Sequence, residues 1–371
     1  MKITFEKNEL ISGLSIISKA ISTKTTSTIL ECVLIETTDS GVSLTANDTS
    51  LGIKTVIKGD VAVGGKLALK AGMLTDIVRR VDSDSVTIEN DDSSIATVTG
   101  GKSLFNIQCH DAEEFSYLPE IEKDRHMSLS QYSLKQAITQ TSKFIGANES
   151  NIMMTGVCIE LKEDVVTFTA LDTHRVAIRN IYLKGSFGMA KVIVPGNTMK
   201  EIGSILASDN EKEVAVYFTK NHIQFEFDKT VVLSRLIDGE FFNLSSMIKD
   251  DYDTKFTTSR VKLSGAMDRA SILTKESDPT PIIFNVMDGL LKIKLRSSSG
   301  NLNDEIDIKK EGADLKIAFN PRFVLDALGS IEDEQVDIYM TNHRAPMFVR
   351  DEKKNYNYMI LPVNFVDREE D

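Results

Sequence analysis

Cysteine is scarce in this chain of 371 residues, which holds only Cys32, Cys109 and Cys158. The number is odd, no two are spaced as CxxC, and each sits in an apolar or strand-like stretch. Buried free thiols are therefore expected, and a disulfide framework is not. Histidine is nearly as rare, with five in the chain and no pair at metal-ligand spacing. No apolar run reaches the ~18 residues of a membrane span. The opening MKITFEKNEL has no h-region, so no signal peptide is expected and the cytoplasm is the expected location. Catalytic signatures are missing as well: there is no GxGxxG after a strand, no P-loop, no HExxH and no GxSxG. Gly64-Gly65 and Gly100-Gly101 fall between strand-like runs and read as turns. None of the common catalytic signatures is therefore available to assign an activity.

What the chain has is repetition. LKAGMLTDIVRRV from Leu69, VPGNTMKEIGSIL from Val194 and FNPRFVLDALGSI from Phe319 follow one another at intervals of 125 residues. Each carries an acidic residue seven places after its first: Asp76, Glu201 and Asp326. Upstream of each lies another amphipathic helical stretch, NELISGLSIISKAI, SLKQAITQTSKFIG and KLSGAMDRASILTK. Alternating, strand-like segments lie between and after, so a unit reads helix, strands, helix, strands. A repeat this long exceeds the ~20 to 50 residues of solenoids, and each copy can bury its own core. The reading is α+β: three tandem similar domains at 1–122, 126–250 and 254–371, each with two helices on one side and antiparallel sheets on the other. The polar junctions EIEKDRH and KDDYDT are short and charged, unlike flexible Gly/Ser linkers, which predicts a fixed arc of domains.

Net charge is −12, which argues at first against nucleic acid. Its distribution reverses the argument. The helical stretches at 5–22, 70–81, 130–146, 195–206, 262–276 and 320–331 hold 12 Lys/Arg against 7 Asp/Glu, whereas the remainder holds 31 against 48. One reading is a set of solvated helix faces. The other is that equivalent helices line a common surface facing a polyanion, with weak, salt-screened and sequence-independent phosphate contacts.

LDTHR at 171–175 is the one constellation that suggests chemistry. Asp172 and His174 are conceivable metal ligands and Arg175 an anion grip, but no second histidine stands at ligand spacing. A turn is the better reading, with Asp172 and Thr173 bonding locally and His174-Arg175 opening the next strand. The first copy has TANDTSLGI there, so the second copy carries something the first does not.

Along its whole length the chain resembles the bacterial DNA polymerase III beta-subunit family of sliding clamps. The resemblance rests on the threefold repeat, TALDTHRVAI at 169–178, LIDGEFFN at 236–243, FNPRFVLDAL at 319–328 and YMILPV at 358–363. It implies a head-to-tail homodimeric ring of DNA-clamp domains, helices inside and sheets outside, closed around duplex DNA. Closure would involve Phe105, Ile107, Ile272 and Leu273, although the last two also read as core residues of their helix. DNA contacts would come from Lys19, Lys24, Arg79, Arg80, Lys135, Lys143, Asn148, Lys200, Arg269 and Arg322.

The same resemblance implies a hydrophobic cleft between the second and third domains that takes linear peptides. The partners would be the DNA polymerase III alpha subunit, the clamp loader delta subunit, and other polymerases and repair proteins. Its walls would be Met154, Leu171, Thr173, His174, Arg175 and Val176, then Phe242, Ser246 and Met247, then Asn320, Phe323, Arg344, Met359, Leu361, Pro362 and Val363. Apolar anchors and adaptable methionines suit such a groove. Phe242 and Ser246 stand where relatives often carry Pro and Arg, and NFVDREED extends past the proline motif as an acidic tail expected to be disordered. Two other classes stay open: a metal-dependent hydrolase using Asp172 and His174, and an exported structural repeat protein with open-ended assembly.

Overall fold

The computed structural model describes residues 1–22, 25–91, 94–147, 150–274 and 280–365. Lys24, Asn148 and the acidic tail from 366 onward lie outside them. Six α-helices occur among the described residues: α1 (Lys7–Ile17), α2 (Ala71–Arg80), α3 (Gln131–Ser142), α4 (Gly196–Ile205), α5 (Arg260–Ser271) and α6 (Pro321–Leu328). They fall two to a copy, where the periodicity puts them.

The first helix of each copy ends about four residues earlier than expected, at Ile17, Ser142 and Ser271, and an unexpected strand runs directly into its start. Lys2–Glu6, His126–Ser130 and Thr254–Ser259 pair antiparallel with Ser85–Glu89, Glu213–Phe218 and Gln335–Met340. Ile3 and Phe5 are buried and their neighbours are not, which is period-two burial. No glycine or proline separates strand from helix, so the two periods run together in the sequence. The starts of the last two helices are marked chemically. The Ser259 hydroxyl accepts from Lys262 N, and Asn320 Oδ1 accepts from Arg322 N with Pro321 in the first turn.

Packing divides the chain into two compact units, Met1–Tyr132 with Glu201–Leu236, and Ser133–Lys200 with Ile237 onward. The copies of the repeat are thus not the units of compactness, and the sheets explain why. In the first unit, strand Leu51–Ile57 of the first copy pairs with Thr230–Arg235 of the second within one sheet of 13 strands. Deep in that seam the hydroxyls of Thr55 and Thr230 lie 2.9 Å apart. In the second unit, Arg175–Tyr182 pairs with Tyr356–Ile360 of the third copy in a sheet of nine strands.

The third strand of this kind, Gly300–Asp307, borders only Leu290–Ser297 and ends a four-stranded sheet. Its would-be partner by the repeat, Ser103–His110, pairs with Ile95–Gly100 and touches strand Lys66–Lys70 only at His110 and Cys109. Of the strands that make the seams between copies, one of each kind therefore keeps an open edge among the described residues. Cores lie between helices and sheets; Leu10, Leu14 and Ile17 of α1, and Leu263, Ala266 and Met267 of α5, are fully buried.

Candidate functional site

The hairpin end at LDTHR is built by Asp172. Its Oδ1 accepts the backbone N–H groups of His174 at 2.8 Å and Arg175 at 3.0 Å, which closes an Asx-type turn. Its Oδ2 accepts Arg175 Nε at 2.9 Å. Both carboxylate oxygens are thus spent on the turn and on Arg175.

Arg175 is buried instead of bordering open space. Beyond Asp172, it donates through Nη1 to Asp326 Oδ2 at 2.6 Å and through Nη2 to Lys143 O at 2.8 Å. Its guanidinium lies over the rings of Phe144 (4.8 Å) and Phe323 (4.4 Å). His174 stacks on Phe323 at 5.8 Å and is itself exposed. A planar, always charged group with a fixed donor fork suits this site as lysine would not. Asp326 is the repeated acidic residue of the third copy, and here it binds the copy before it. Glu201 behaves likewise, meeting Lys19 of the first copy at 3.1 Å. Asp76 pairs within its own helix with Arg80 at 2.8 Å.

Beside this node lies one apolar cluster drawn from both sides of the seam. Cys158, Leu171, Val176, Ile193, Phe241, Tyr339, Phe348 and Met359 are its buried members. Met153, Met154, Ile178, Ile237, Phe242, Leu244, Ile248 and Leu361 pack on it and stay partly open. Val176 and Met359 are directly paired across the strands. Leu361 N donates to His174 O at 2.9 Å and Val363 N to Ala318 O at 2.8 Å, which fixes the chain through Pro362. Arg350 pins the loop that closes the cluster, donating to Lys249 O at 2.8 Å and to Asp250 Oδ1 at 3.0 Å while stacking over Tyr339 at 4.4 Å. The Lys354 ammonium hydrogen-bonded to Asp250 holds that carboxyl below its ordinary value. Burial pushes the Cys158 thiol up to about 12, so it packs as an inert hydrophobe.

All sixteen cleft residues expected from the sequence fall in this one compact unit. Met154, Leu171, Val176, Phe242, Met359 and Leu361 belong to the cluster. Phe323 and Pro362 are half-buried, whereas Thr173, Ser246, Met247, Arg344 and Val363 are exposed. Asn320 serves as the cap of α6. Phe241, Ile237, Phe348, Tyr339 and Ile193 were not anticipated. Their signal in the sequence is ordinary strand alternation, which marks burial and not a site.

The cationic candidates divide. Lys19, Arg80 and Arg269 are tied to Glu201, Asp76 and Asp304, and Lys143 Nζ donates to Gly329 O at 3.2 Å. Lys135 and Arg322 also have contacts. Arg79 and Lys200 are exposed. Of the closure candidates, Ile272 is 78% and Phe105 37% exposed, Leu273 is half-buried, and Ile107 is buried at 8%. Leu104, which drew no notice in the sequence, is 61% exposed and shares the open strand with Phe105. Cys32 and Cys158 are buried, but Cys109 is only half-buried. No described helix is long and apolar enough to cross a membrane.

Comparison with known proteins gives consecutive matches. Family profiles of the DNA polymerase III beta subunit match as N-terminal domain over 1–119, central domain over 128–243 and C-terminal domain over 245–364. The chain is similar to the beta sliding clamp of Staphylococcus aureus, 28% identical over 98% of this chain and 99% of that one. Among solved structures it is similar to a protein from Eubacterium rectale assigned as a DNA polymerase III beta subunit, with 42% identity and TM-score 0.94 over 98% and 100% of the two chains. The sliding clamp of Bacillus subtilis gives 28% identity and TM-score 0.93 over 99% and 100%.

Proposed function

The chain belongs to the DNA polymerase III beta-subunit family, and from that premise we propose how its parts hold DNA and partner proteins. It works as a DNA sliding clamp for the replicative polymerase, a processivity factor and not a catalyst. The observation that carries the assembly is the count of strand edges. Two seams between copies are closed by strand pairing, and one edge of each kind is left over, on Ser103–His110 and on Gly300–Asp307. A second copy offers the complementary edges, so a head-to-tail contact closes on itself as a dimeric ring. Exposed Leu104, Phe105 and Ile272 supply apolar burial beside those edges, each worth about 1.5–3 kcal/mol if fully covered.

Duplex DNA passes through this ring without sequence preference, held by topology and touched by salt-screened Lys/Arg contacts. On linear DNA, binding should fall steeply from low to physiological salt, while rings loaded on closed circles stay on. Equal salt sensitivity on circles would refute encirclement.

The apolar cluster at the second seam takes a linear peptide from the polymerase alpha subunit, the clamp loader delta subunit and other clamp-binding polymerases and repair proteins. Met359, Leu361, Val176 and Phe242 form its floor and walls, and the methionines adapt to different anchors. A peptide with Gln followed by Leu and an aromatic should bind at micromolar strength, and Met359→Asp should abolish binding in fluorescence anisotropy. Retained affinity in that variant would move the site elsewhere.

A further inference from the structure

The seam inside the first compact unit has the same parts as the peptide groove and a different chemistry. Asn47-Asp-Thr-Ser-Leu-Gly52 stands where the second copy has Leu171-Asp-Thr-His-Arg-Val176, and Phe115-Ser-Tyr-Leu118 stands where it has Phe241-Phe-Asn-Leu244. Gly52 lacks the side chain that Val176 has, and Leu118 sinks into the space; a Cβ on Gly52 would lie 1.9 Å from Leu118 Cδ2. Asn47 Nδ2 donates to Ser116 O at 3.0 Å and anchors the loop. Beside Leu118 there remains a cavity of about 240 Å³, lined by Tyr117, Leu118, Leu233, His222 and Arg235 among others.

Arg235 carries the one permanent charge of that lining, and among the described residues its guanidinium has no hydrogen bond or ion pair. Burial and the neighbouring Arg235 hold His222 below its ordinary value, so at neutral pH the cavity presents a single cation. In a chain of net charge −12 an unpaired cation at the mouth of a concave site is an opening for an anion. The volume is below the ~300–1,000 Å³ of small-molecule sites and suits one or two side chains.

We propose that this cavity is a second docking site, taking a partner's apolar side chain next to a carboxylate. The carboxylate pairs with Arg235, and the apolar group lies against Tyr117, Leu118 and Leu233. The site is independent of the peptide groove at the other seam.

The test uses the full chain carrying Met359→Asp, so that the first groove is silent, with labelled Leu methyl groups and acetyl-Gly-Leu-Asp-Gly-amide as probe. Saturable shifts of the Leu118 and Leu233 methyls are expected, with affinity about tenfold lower for the Asp→Asn probe and for the Arg235→Glu protein. Absence of shifts at those methyls, or equal affinity for both probes, would overturn the proposal. Displacement of the probe by a short DNA duplex, with duplex binding lost in Arg235→Glu, would assign the cation to phosphate and also overturn it.

Discussion

Arg175 joins the second and third copies of the repeat through five partners, two of them aromatic rings, with almost none of its side chain in water. Truncating it strands Asp172 and removes the face on which Phe323 lies. Arg175→Ala should therefore cost about 3 kcal/mol in urea unfolding, and Arg175→Lys should recover little of it. Asp250 makes a pH-dependent contribution of the usual carboxylate sign. Its folded value lies below the 3.8 of the free group, so the contact with Lys354 stabilises fully above that value and is lost as pH falls through the folded one. Exchange of the amides at 249–252 should accelerate there, and Lys354→Met should remove that acid-dependent step. At this scale the sequence was only partly legible. LDTHR was recognisable as a turn, and Asp172 performs it. The burial of Arg175 was not, because its partners Lys143 and Asp326 lie 32 and 151 residues away and nothing local to 171–175 announces them.

Among elements, the helices were the most readable, since each repeats an apolar stripe: Ala71, Leu74, Ile77 and Val78 of α2 are buried on one face. The strands before α1, α3 and α5 were missed for want of a break between the two periods. Pairing across copies was unreadable, because alternation says which face is inward and not which strand lies alongside. The seam strands also set the fate of the adjoining loops. At the first seam, Gly52→Val should force Leu118 out of the space above Gly52 and destabilise the first unit. Adding Leu118→Ala should return much of that loss, a coupling of about 1–3 kcal/mol in a double-mutant cycle. Strictly additive effects would mean that the two residues do not share the space.

For the whole molecule, the repeated acidic residue is instructive. Glu201 and Asp326 each bind the copy before them, while Asp76 has no preceding copy in its own chain. The open strand edges lie in the same first and third copies. Charged replacement of Ile272 and Leu273 should give a folded monomer in sedimentation, and a persisting dimer would exclude closure through that helix end. The threefold repeat was legible in the sequence and its motifs carried the resemblance to a clamp, whereas the identity of the edges required the ladder of pairings.

Interleaving has a consequence for synthesis. The first compact unit needs residues 201–236, and its seam pairs Thr55 with Thr230. A nascent chain emerging at about 5–20 residues per second must hold one edge of strand Leu51–Ile57, the other being paired with Gly41–Asn47, open for roughly ten seconds or more before its second neighbour exists. Arrested chains of the first copy alone should therefore bind chaperones or self-associate through that strand, and release should coincide with emergence of Arg235 from the ribosome.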